Sequence, residues 1–172
     1  MATTYTVVDS PIGPLAVAVT DGAVTDVRFP RADGSAATDD LGERTDPADE
    51  PLLAEAVRQL TAYFAGELRE FTLPLRYRGS PFQQRVWDGL RALPYGTTTT
   101  YGALAAAVGL DPRTASRAVG AANGANRIPV VVPCHRVIGA DGTLTGFGGG
   151  IERKRELLDL EAWVAAGAGT LF

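Results

Sequence analysis

The chain has 172 residues, 45% of them hydrophobic, and a formal net charge of −4 at pH 7, which is ordinary for a soluble globular protein of one large or two small domains. No apolar run reaches the roughly 18 residues of a membrane span, so a membrane partner is not expected. A single cysteine excludes an internal disulfide, and the amino terminus lacks the charged and apolar regions of a signal peptide, so we expect a cytoplasmic protein.

The charge is divided unevenly along the chain. Residues 1–75 carry 5 Arg against 13 Asp and Glu, a net charge of −8, whereas residues 76–172 carry 10 Arg and 1 Lys against 7 acids, a net charge of +4. An acidic protein repels the phosphates of a nucleic acid, but a basic half can still bind them. A nucleic-acid partner is therefore compatible mainly with the second half of the chain.

The first half predicts a small sheet covered by one helix. Alternating apolar segments predict three strands, and Asp21-Gly22 predicts a tight hairpin turn between the second and the third. The predicted strands are residues 5–9, 15–20 and 24–29. Residues 30–50 lack apolar periodicity and predict a loop. From Pro51 the apolar residues recur at helical spacing as far as a stop at Gly66, and this face is expected to cover the sheet.

A domain boundary is predicted between the two halves. Residues 71–75 form either one more strand or an extended connector, and residues 76–80 are the expected boundary. The next helix begins with a capping box, in which Ser80 caps the helix and Gln83 reaches back to it. Its apolar stripe contains Phe82, Val86 and Leu90.

Two short helices follow. The threonines at 97–100 offer caps for the first, which ends at Gly109, and Asp111 caps the second. Helices joined by so short a turn containing glycine form either a helix-turn-helix or an ordinary helical hairpin. Their inward faces are predicted to hold Leu104, Ala107 and Val108 in the first helix and Ala115, Ala118, Val119 and Ala122 in the second.

The second of these helices is built of very small residues around Arg113 and Arg117, which lie one turn apart on its outer face. Small side chains allow a close approach to a partner surface, whereas readers of the major groove carry long hydrogen-bonding side chains for the base edges. This helix therefore favours a shape-reading, sequence-independent contact in the minor groove. The alternative is that both arginines belong to an ordinary solvated face.

The only cysteine and the only histidine of the chain are adjacent, as Cys134 and His135. The β-branched run at 130–132 predicts a short buried strand that Pro133 ends, which places Cys134 at a strand end. A free thiol with a pKa of about 8.5 is mostly protonated at neutral pH, so a nucleophilic cysteine requires a proton acceptor. Neighbours on an extended strand face opposite ways, so His135 could serve only across a tight turn or through a water molecule. The alternative is an inert buried cysteine beside a surface histidine.

Two further features follow the cysteine. Residues 146–150 contain four glycines around Phe147, and glycines permit the close approach of backbone amides to a ligand. A terminal helix is predicted from Ile151 to about Ala165. Glu161 lies near its inward face, where an ionised carboxylate needs a partner. The same face is predicted to bury Leu157, Leu158 and Ala162.

The five residues from Pro133 to Val137, Pro-Cys-His-Arg-Val, resemble the active-site signature of O6-alkylguanine-DNA alkyltransferases, also called methylated-DNA-protein-cysteine methyltransferases. The resemblance extends over about residues 78 to 163. Its other matching positions are Tyr101, Arg117, Asn126, Gly146, Phe147, Gly148, Gly149 and Glu161. It implies an α/β (α+β) fold, with a small amino-terminal sheet-plus-helix domain of structural role at residues 1–77. A mainly helical, DNA-binding and catalytic domain with a helix-turn-helix follows at residues 78–172.

The resemblance implies direct-reversal DNA repair. The implied partner is double-stranded DNA containing O6-alkylguanine, whose damaged nucleotide is flipped out of the stack. The alkyl group, such as methyl, moves from O6 of guanine to Cys134. Nothing regenerates the thiol, so each chain repairs one lesion. The resemblance also implies that the chain acts as a monomer and needs no cofactor. Some members bind a structural zinc through cysteines and histidines of the first domain, where this chain has none, so no zinc is expected.

The resemblance also assigns roles to individual residues. Glu161 orients His135, which acts through a bridging water as the base for Cys134, while Asn126 holds the turn. The residues assigned to catalysis are Cys134, His135, Glu161, Asn126 and Tyr101. Those assigned to DNA binding are Arg113, Ser116, Arg117, Ala118, Arg136 and again Tyr101. Those assigned to the flipped guanine are Val137, Gly148, Gly149 and Phe147, the last standing where many members have tyrosine.

Two other functions are compatible with parts of this pattern. Alkyltransferase-like proteins share the fold and the helix-turn-helix and sense lesions without repairing them, but they lack the cysteine that this chain has at position 134. A cysteine hydrolase would turn over repeatedly on an acyl substrate, and only the adjacent cysteine and histidine support it. Transfer to Cys134 is therefore the preferred prediction.

Overall fold

The computed structural model describes residues 2–144, 147 and 149–167. The chain forms two compact units, one that ends at Arg78 and one that begins at Gly79. The first carries a sheet and the second is mainly helical, so the predicted α/β class is confirmed. Within the described segments, no helix combines the length and the apolar character that crossing a membrane requires.

A four-stranded sheet forms the frame of the first unit. Its strands are β1 (Thr3–Val8), β2 (Leu15–Thr20), β3 (Ala23–Arg28) and β4 (Glu43–Arg44), in the order β3-β2-β1-β4. Antiparallel pairing joins β1 to β2 and β2 to β3, whereas β4 pairs parallel with β1. The predicted tight turn between β2 and β3 is confirmed, with positive φ angles of 53° at Asp21 and 74° at Gly22.

The prediction of a loop for residues 30–50 is wrong in part. Besides β4, this segment contains a short 3-10 helix, Pro47–Asp49, and it buries Leu41. The chain enters β4 at Gly42, where a Cβ atom would lie only 2.0 Å from the carbonyl oxygen of Thr3. A two-residue strand held by backbone pairing leaves no apolar periodicity in the sequence, so the pattern could not indicate it.

One helix, α1 (Pro51–Phe64), packs on this sheet as predicted. Gln59 lies on its buried face, although the apolar pattern did not include it. The Gln59 amide donates to the Thr72 hydroxyl over 2.9 Å and accepts from the Thr72 backbone over 2.9 Å. Residues 71–75 are the extended connector, joined to β3 by a single bridge between Leu75 and Val24.

The described part of the second unit contains four α-helices, a 3-10 helix at Cys134–Arg136 and a two-stranded parallel ladder. The helices are α2 (Pro81–Arg91), α3 (Tyr101–Ala107), α4 (Pro112–Gly124) and α5 (Ile151–Ala165), and the ladder pairs β5 (Thr99–Thr100) with β6 (Val137–Ile138). The predicted capping box of α2 is confirmed. Ser80 Oγ accepts from the Gln83 backbone over 3.1 Å, and Gln83 Oε1 accepts from the Ser80 backbone over 2.9 Å.

The helices α3 and α4 pack against each other in the helix-turn-helix arrangement. Thr100 and Asp111 cap them, each accepting a hydrogen bond from a backbone amide of the first turn. A Cβ atom on Gly102 would lie 3.6 Å from side-chain atoms of Pro112 and Ser116, so α3 runs close to the start of α4.

The inward helix faces differ from the predicted ones at several alanines. Ala107, Ala118 and Ala162 are exposed, whereas Asn123 in α4 and Leu160 in α5 are buried. Leu158, also predicted to be buried, is half-buried. Alanine is short and occurs on both faces of a helix, so it is a weak marker of the buried side.

Candidate active site

The segment before Cys134 forms a tight turn rather than the predicted strand. Val132 N donates to Ile128 O over 2.9 Å, and Val130 has a φ angle of 72°. A positive φ is strained for a β-branched residue, so the surrounding contacts must hold it in place. The strand prediction was wrong because a run of buried valines has the same apolar signature in a turn.

Asn126 ties the two ends of this turn together. Its Nδ2 donates to Val132 O over 2.8 Å, and its Oδ1 accepts from Ile128 N over 3.0 Å. The same side chain hydrogen-bonds the Cys134 thiol. The structure therefore places Asn126 between the turn and the cysteine.

Cys134 begins a short 3-10 helix, Cys134–Arg136, and its side chain is buried. Burial raises the pKa of the thiol to about 11, although the hydrogen bond with Asn126 and the positive charge of Lys154 act in the opposite direction. The resting thiol is therefore protonated at neutral pH. Any reaction through the thiolate must remove this proton as the substrate is attacked.

His135 is completely buried, and its Nε2 lies 2.6 Å from Oε2 of Glu161. Burial lowers the pKa of His135 and outweighs the opposite effect of Glu161, so the ring is neutral at rest. The neutral ring carries its proton on Nε2, because an ionised carboxylate can only accept. Its Nδ1 is thus an acceptor, and no group in the described part of the chain hydrogen-bonds it.

Arg136 was predicted to bind DNA, and this prediction is wrong. The residue is only 6% exposed, and its guanidinium donates to Glu161 through Nε over 2.7 Å and through Nη2 over 3.0 Å. Its Nη1 donates to the carbonyl oxygen of Leu93 over 2.8 Å. Arg136 is a fixed internal partner of Glu161, because all of these acceptors lie inside the protein.

Glu161 connects three segments of the second unit. Besides the bonds with His135 and Arg136, its Oε1 accepts from Gly96 N over 3.2 Å. Burial alone would raise the pKa of Glu161, but His135 and Arg136 together outweigh it and hold this pKa well below its usual range. The carboxylate is therefore ionised, and the fixed charge of Arg136 offsets it while His135 is neutral.

Lys154 is a site residue that the apolar pattern of α5 did not indicate. It is fully buried, and its Nζ lies 5.8 Å from the ring centroid of Phe147. Burial lowers the pKa of Lys154, whereas the neighbouring Cys134 raises it. A signal was present in the sequence, since Glu161 lies seven positions after Lys154 and this spacing puts both on one helix face.

Asn123 is a second residue that the sequence did not indicate. It lies in the last turn of α4, and its Nδ2 donates to the carbonyl oxygen of Cys134 over 3.4 Å. The same end of α4 is held by Trp87, whose Nε1 donates to Ala122 O over 2.8 Å. The second helix of the helix-turn-helix is thus bonded directly to the cysteine segment.

The outer face of α4 presents the residues predicted to bind DNA. Arg113, Arg117 and Ala118 are exposed, and Ser116 is half-buried. The Ser116 hydroxyl donates to Pro112 O over 2.5 Å, so it is engaged within the helix. Two arginines on a face of small residues can reach phosphates while the backbone stays close to a groove.

The residues predicted to hold the guanine lie at different depths. Tyr101 is half-buried with its ring against α4, since a Cβ atom on Gly120 would lie 3.6 Å from its Cδ1. Val137 is buried in β6, and Gly149 is buried just before α5. Gly148 lies outside the described residues.

The chemistry of the site follows from its donor and acceptor groups. A protonated thiol lies next to a neutral histidine that can accept a proton, and Glu161 can stabilise the imidazolium that results. In residues 2–144, 147 and 149–167, no group of three or more His, Cys, Asp or Glu side chains is placed to hold a metal ion. The second unit thus combines a DNA-binding motif with a thiol that a neighbouring base can activate.

Comparisons with known proteins identify the family. The family model described as 6-O-methylguanine DNA methyltransferase, DNA binding domain, matches residues 81–163, and the one described as the ribonuclease-like domain matches residues 3–77. The methylated-DNA–protein-cysteine methyltransferase of Mycobacterium tuberculosis is 49% identical over 98% of both chains. The constitutive enzyme of that name from Bacillus subtilis is 44% identical over 91% of this chain and 94% of its own.

Solved structures agree with these matches. The crystal structure of Mycobacterium tuberculosis O6-methylguanine methyltransferase is 48% identical and superposes with a TM-score of 0.82 over 93% of both chains. That of Mycobacterium tuberculosis OGT in complex with DNA is 47% identical, with a TM-score of 0.77 over 94% of both chains. The chain belongs to the methylated-DNA–protein-cysteine methyltransferase family, as its signature predicted. It repairs DNA by direct reversal, transferring an alkyl group to a cysteine.

Proposed function

We propose that the chain, acting as a monomer, repairs O6-alkylguanine in double-stranded DNA and that Cys134 accepts the alkyl group once per chain. The observation that supports this most strongly is the series of buried contacts from Arg136 through Glu161 to His135, the residue that directly follows Cys134. We call these three residues the relay. The chain has no second cysteine that could accept the group.

The relay is proposed to remove the thiol proton during the reaction. Nδ1 of the neutral His135 accepts the proton of Cys134 through a bridging water. The imidazolium that forms is stabilised by Glu161 at 2.6 Å from Nε2. At rest, Arg136 offsets the charge of the Glu161 carboxylate, so His135 can remain neutral beside it. His135 becomes charged only when the thiol gives up its proton.

The Cys134 sulfur then attacks the alkyl carbon bonded to O6 of guanine. The new sulfur–carbon bond forms as the O6–carbon bond breaks, and the electron pair of the broken bond stays on guanine. Guanine takes up one proton and the His135 imidazolium releases the one it received from the thiol, so no proton is gained or lost overall. The product is a thioether, which has no good leaving group. The cysteine is therefore not regenerated, and one chain is consumed for each lesion.

The flipped guanine is proposed to lie among the residues around Cys134. Tyr101 hydrogen-bonds the leaving purine, and the Gly148 amide donates to O6. The carbonyl oxygens of Cys134 and Val137 accept from the exocyclic amine, since a carbonyl has two lone pairs and can serve Asn123 as well. Phe147 contributes an apolar ring, and the small Gly149 permits the close approach of the base.

The exposed face of α4 is proposed to lie in the minor groove. Arg117 fills the gap left by the flipped nucleotide, and Arg113 binds phosphate. Ser116 and Ala118 are small enough to let the helix backbone approach the sugars. Flipping costs a few kcal/mol, which these contacts offset without reading the base sequence.

A short duplex carrying one O6-methylguanine tests this proposal. After single-turnover incubation, the DNA is digested and its nucleosides are quantified. We expect one guanine restored for each chain consumed, and no further repair when more duplex is added. A failure to restore guanine at any excess of protein would exclude this substrate, and several guanines restored per chain would exclude the stoichiometric reaction.

Arg117→Ala is expected to slow repair of duplex DNA by about tenfold or more, because extrusion of the nucleotide loses its support. Reaction with free O6-benzylguanine should be nearly unchanged, since a free base needs no extrusion. Single-turnover rates at saturating substrate measure both. Arg113→Ala is the matched control and should weaken DNA binding without this slowing. Equal losses on the two substrates would contradict the role of Arg117.

A further inference from the structure

Two buried acceptors next to Cys134 have no hydrogen-bond partner in the described part of the chain, Nδ1 of His135 and Oδ1 of Asn123. His135 is fully buried and Asn123 is 1% exposed, so bulk solvent reaches neither side chain. Buried polar atoms in folded proteins are almost always bonded to protein or to an ordered water. One of these acceptors belongs to the residue that follows Cys134 and the other to a residue bonded to the Cys134 carbonyl, so a single donor beside Cys134 would satisfy both.

A single peptide group brings these two side chains together. Nδ2 of Asn123 lies 3.4 Å from the carbonyl oxygen of Cys134, and this carbonyl belongs to the peptide bond that joins Cys134 to His135. A carbonyl oxygen can only accept, so the amide must present Nδ2 to it, which leaves Oδ1 as the acceptor without a partner. On the histidine, Nε2 is bonded to Glu161, so Nδ1 is the nitrogen that remains.

We propose that Asn123 is a positioning residue for the proton transfer and that its Oδ1, together with Nδ1 of His135, holds the water molecule that takes up the Cys134 proton. The inference rests on the proposed function, in which the proton passes through a water. A buried water typically makes about three hydrogen bonds. Here it donates one to each of the two acceptors and accepts one from the thiol.

The water gains one proton and loses one in this transfer. As the sulfur attacks the alkyl carbon, the S–H bond breaks and its proton moves to the water oxygen. The hydrogen that the water directs at His135 moves to Nδ1, which gives the imidazolium. The second hydrogen stays on Asn123 Oδ1 and prevents rotation of the water, so its lone pair continues to face the thiol.

The charged groups around this position are the same in every variant proposed below. Glu161 and Arg136 lie on the far side of the His135 ring, and Lys154 approaches Cys134 from α5. A change at Asn123 leaves these charges in place. Its effect on the proton transfer can therefore be separated from an effect of the relay.

Asn123→Leu removes both polar atoms of the side chain at nearly constant volume. At neutral pH we expect methyl transfer from duplex DNA to be at least about tenfold slower, within the range that general-base catalysis contributes. The rate should rise with pH towards that of the unmodified protein, because a growing fraction of the thiol then ionises without the base. Val119→Ala is the matched control, because Val119 is buried one turn earlier on α4 and carries no polar side-chain atom.

A second readout uses iodoacetamide in the absence of DNA. Cys134 is the only thiol, so iodoacetamide labels this residue alone, and we expect the labelling rate to show the same dependence on pH in Asn123→Leu. If labelling follows this pattern but the unmodified protein restores no guanine, the inference holds and the proposed function fails. An unchanged rate, or a loss by the same factor at every pH, would overturn the inference. Should Asn123→Leu not fold, Asn123→Ala takes its place with the same expected results.

Discussion

Replacing Glu161 with glutamine is expected to lower the free energy of unfolding by about 3–5 kcal/mol, as the removal of one partner from a buried ion pair does. The substitution leaves the guanidinium of Arg136, a residue only 6% exposed, without its carboxylate. The pKa of Glu161 lies below its ordinary 4.5, so its stabilisation is present above pH 4.5 and is lost as the pH falls. Denaturant unfolding should therefore show the full loss at neutral pH and a smaller one in acid.

Arg136→Met and the double variant provide the control for this result. Arg136→Met leaves Glu161 buried without its guanidinium and should be destabilising by a similar amount. The double variant removes both charges, so its loss should be well below the sum of the two single losses. Additive losses would show that the two side chains do not act as a pair.

The folded Glu161→Gln protein should also transfer the alkyl group more slowly at neutral pH. A neutral amide stabilises the His135 imidazolium less than a carboxylate does, so the thiol proton leaves less readily. The rate should increase with pH towards that of the unmodified protein, since a growing fraction of Cys134 then ionises without help. A single-turnover rate equal to the unmodified one over the whole pH range would assign Glu161 a structural role only.

Cys134→Ala is expected to abolish alkyl transfer completely and to retain binding to duplex DNA, because the chain has no other thiol. It should also change the stability of the fold in alkali. Burial raises the pKa of Cys134 from 9.0 in the unfolded chain to about 11 in the folded protein. Above pH 9.0 the unfolded chain therefore releases this proton first, and the unmodified protein loses stability as the pH rises. The alanine variant has no such proton, so its unfolding free energy should fall less steeply there.

Duplex binding and unfolding curves of the two proteins measure these effects. Restored guanine in the reaction of Cys134→Ala would contradict the assignment of the nucleophile. Parallel alkaline unfolding curves would contradict the raised pKa of the buried thiol.

Local signals in the sequence predicted the framework of the second unit. The capping box of Ser80 and Gln83 and the cap at Asp111 each depend on residues within one helical turn, so the pattern contains all of their partners. The five-residue signature around Cys134 is equally local. These features were correct because no distant contact is needed to form them.

The errors concern residues whose partners are distant in the sequence. Arg136 was assigned to DNA because it is charged, but its partner Glu161 is 25 residues away. A sequence shows the sign of a charge, but it does not show whether the side chain faces solvent or the protein interior. Asn123 hydrogen-bonds the backbone of Cys134, which is 11 residues away. In the sequence it is only an ordinary residue at the end of a helix. The strand predicted at 130–132 is a turn, because Asn126 holds the chain in a conformation that valine does not favour.

The mass of the protein after reaction with a duplex that carries one O6-methylguanine tests the central claim most directly. We predict the addition of one methyl group per chain, located on Cys134 by fragmentation and equal in amount to the lesions removed, with no addition to Cys134→Ala. Binding to the lesion without any gain in mass would instead indicate a lesion sensor. Removal of many lesions per chain by a protein of unchanged mass would indicate a hydrolase, and either result would contradict transfer to Cys134.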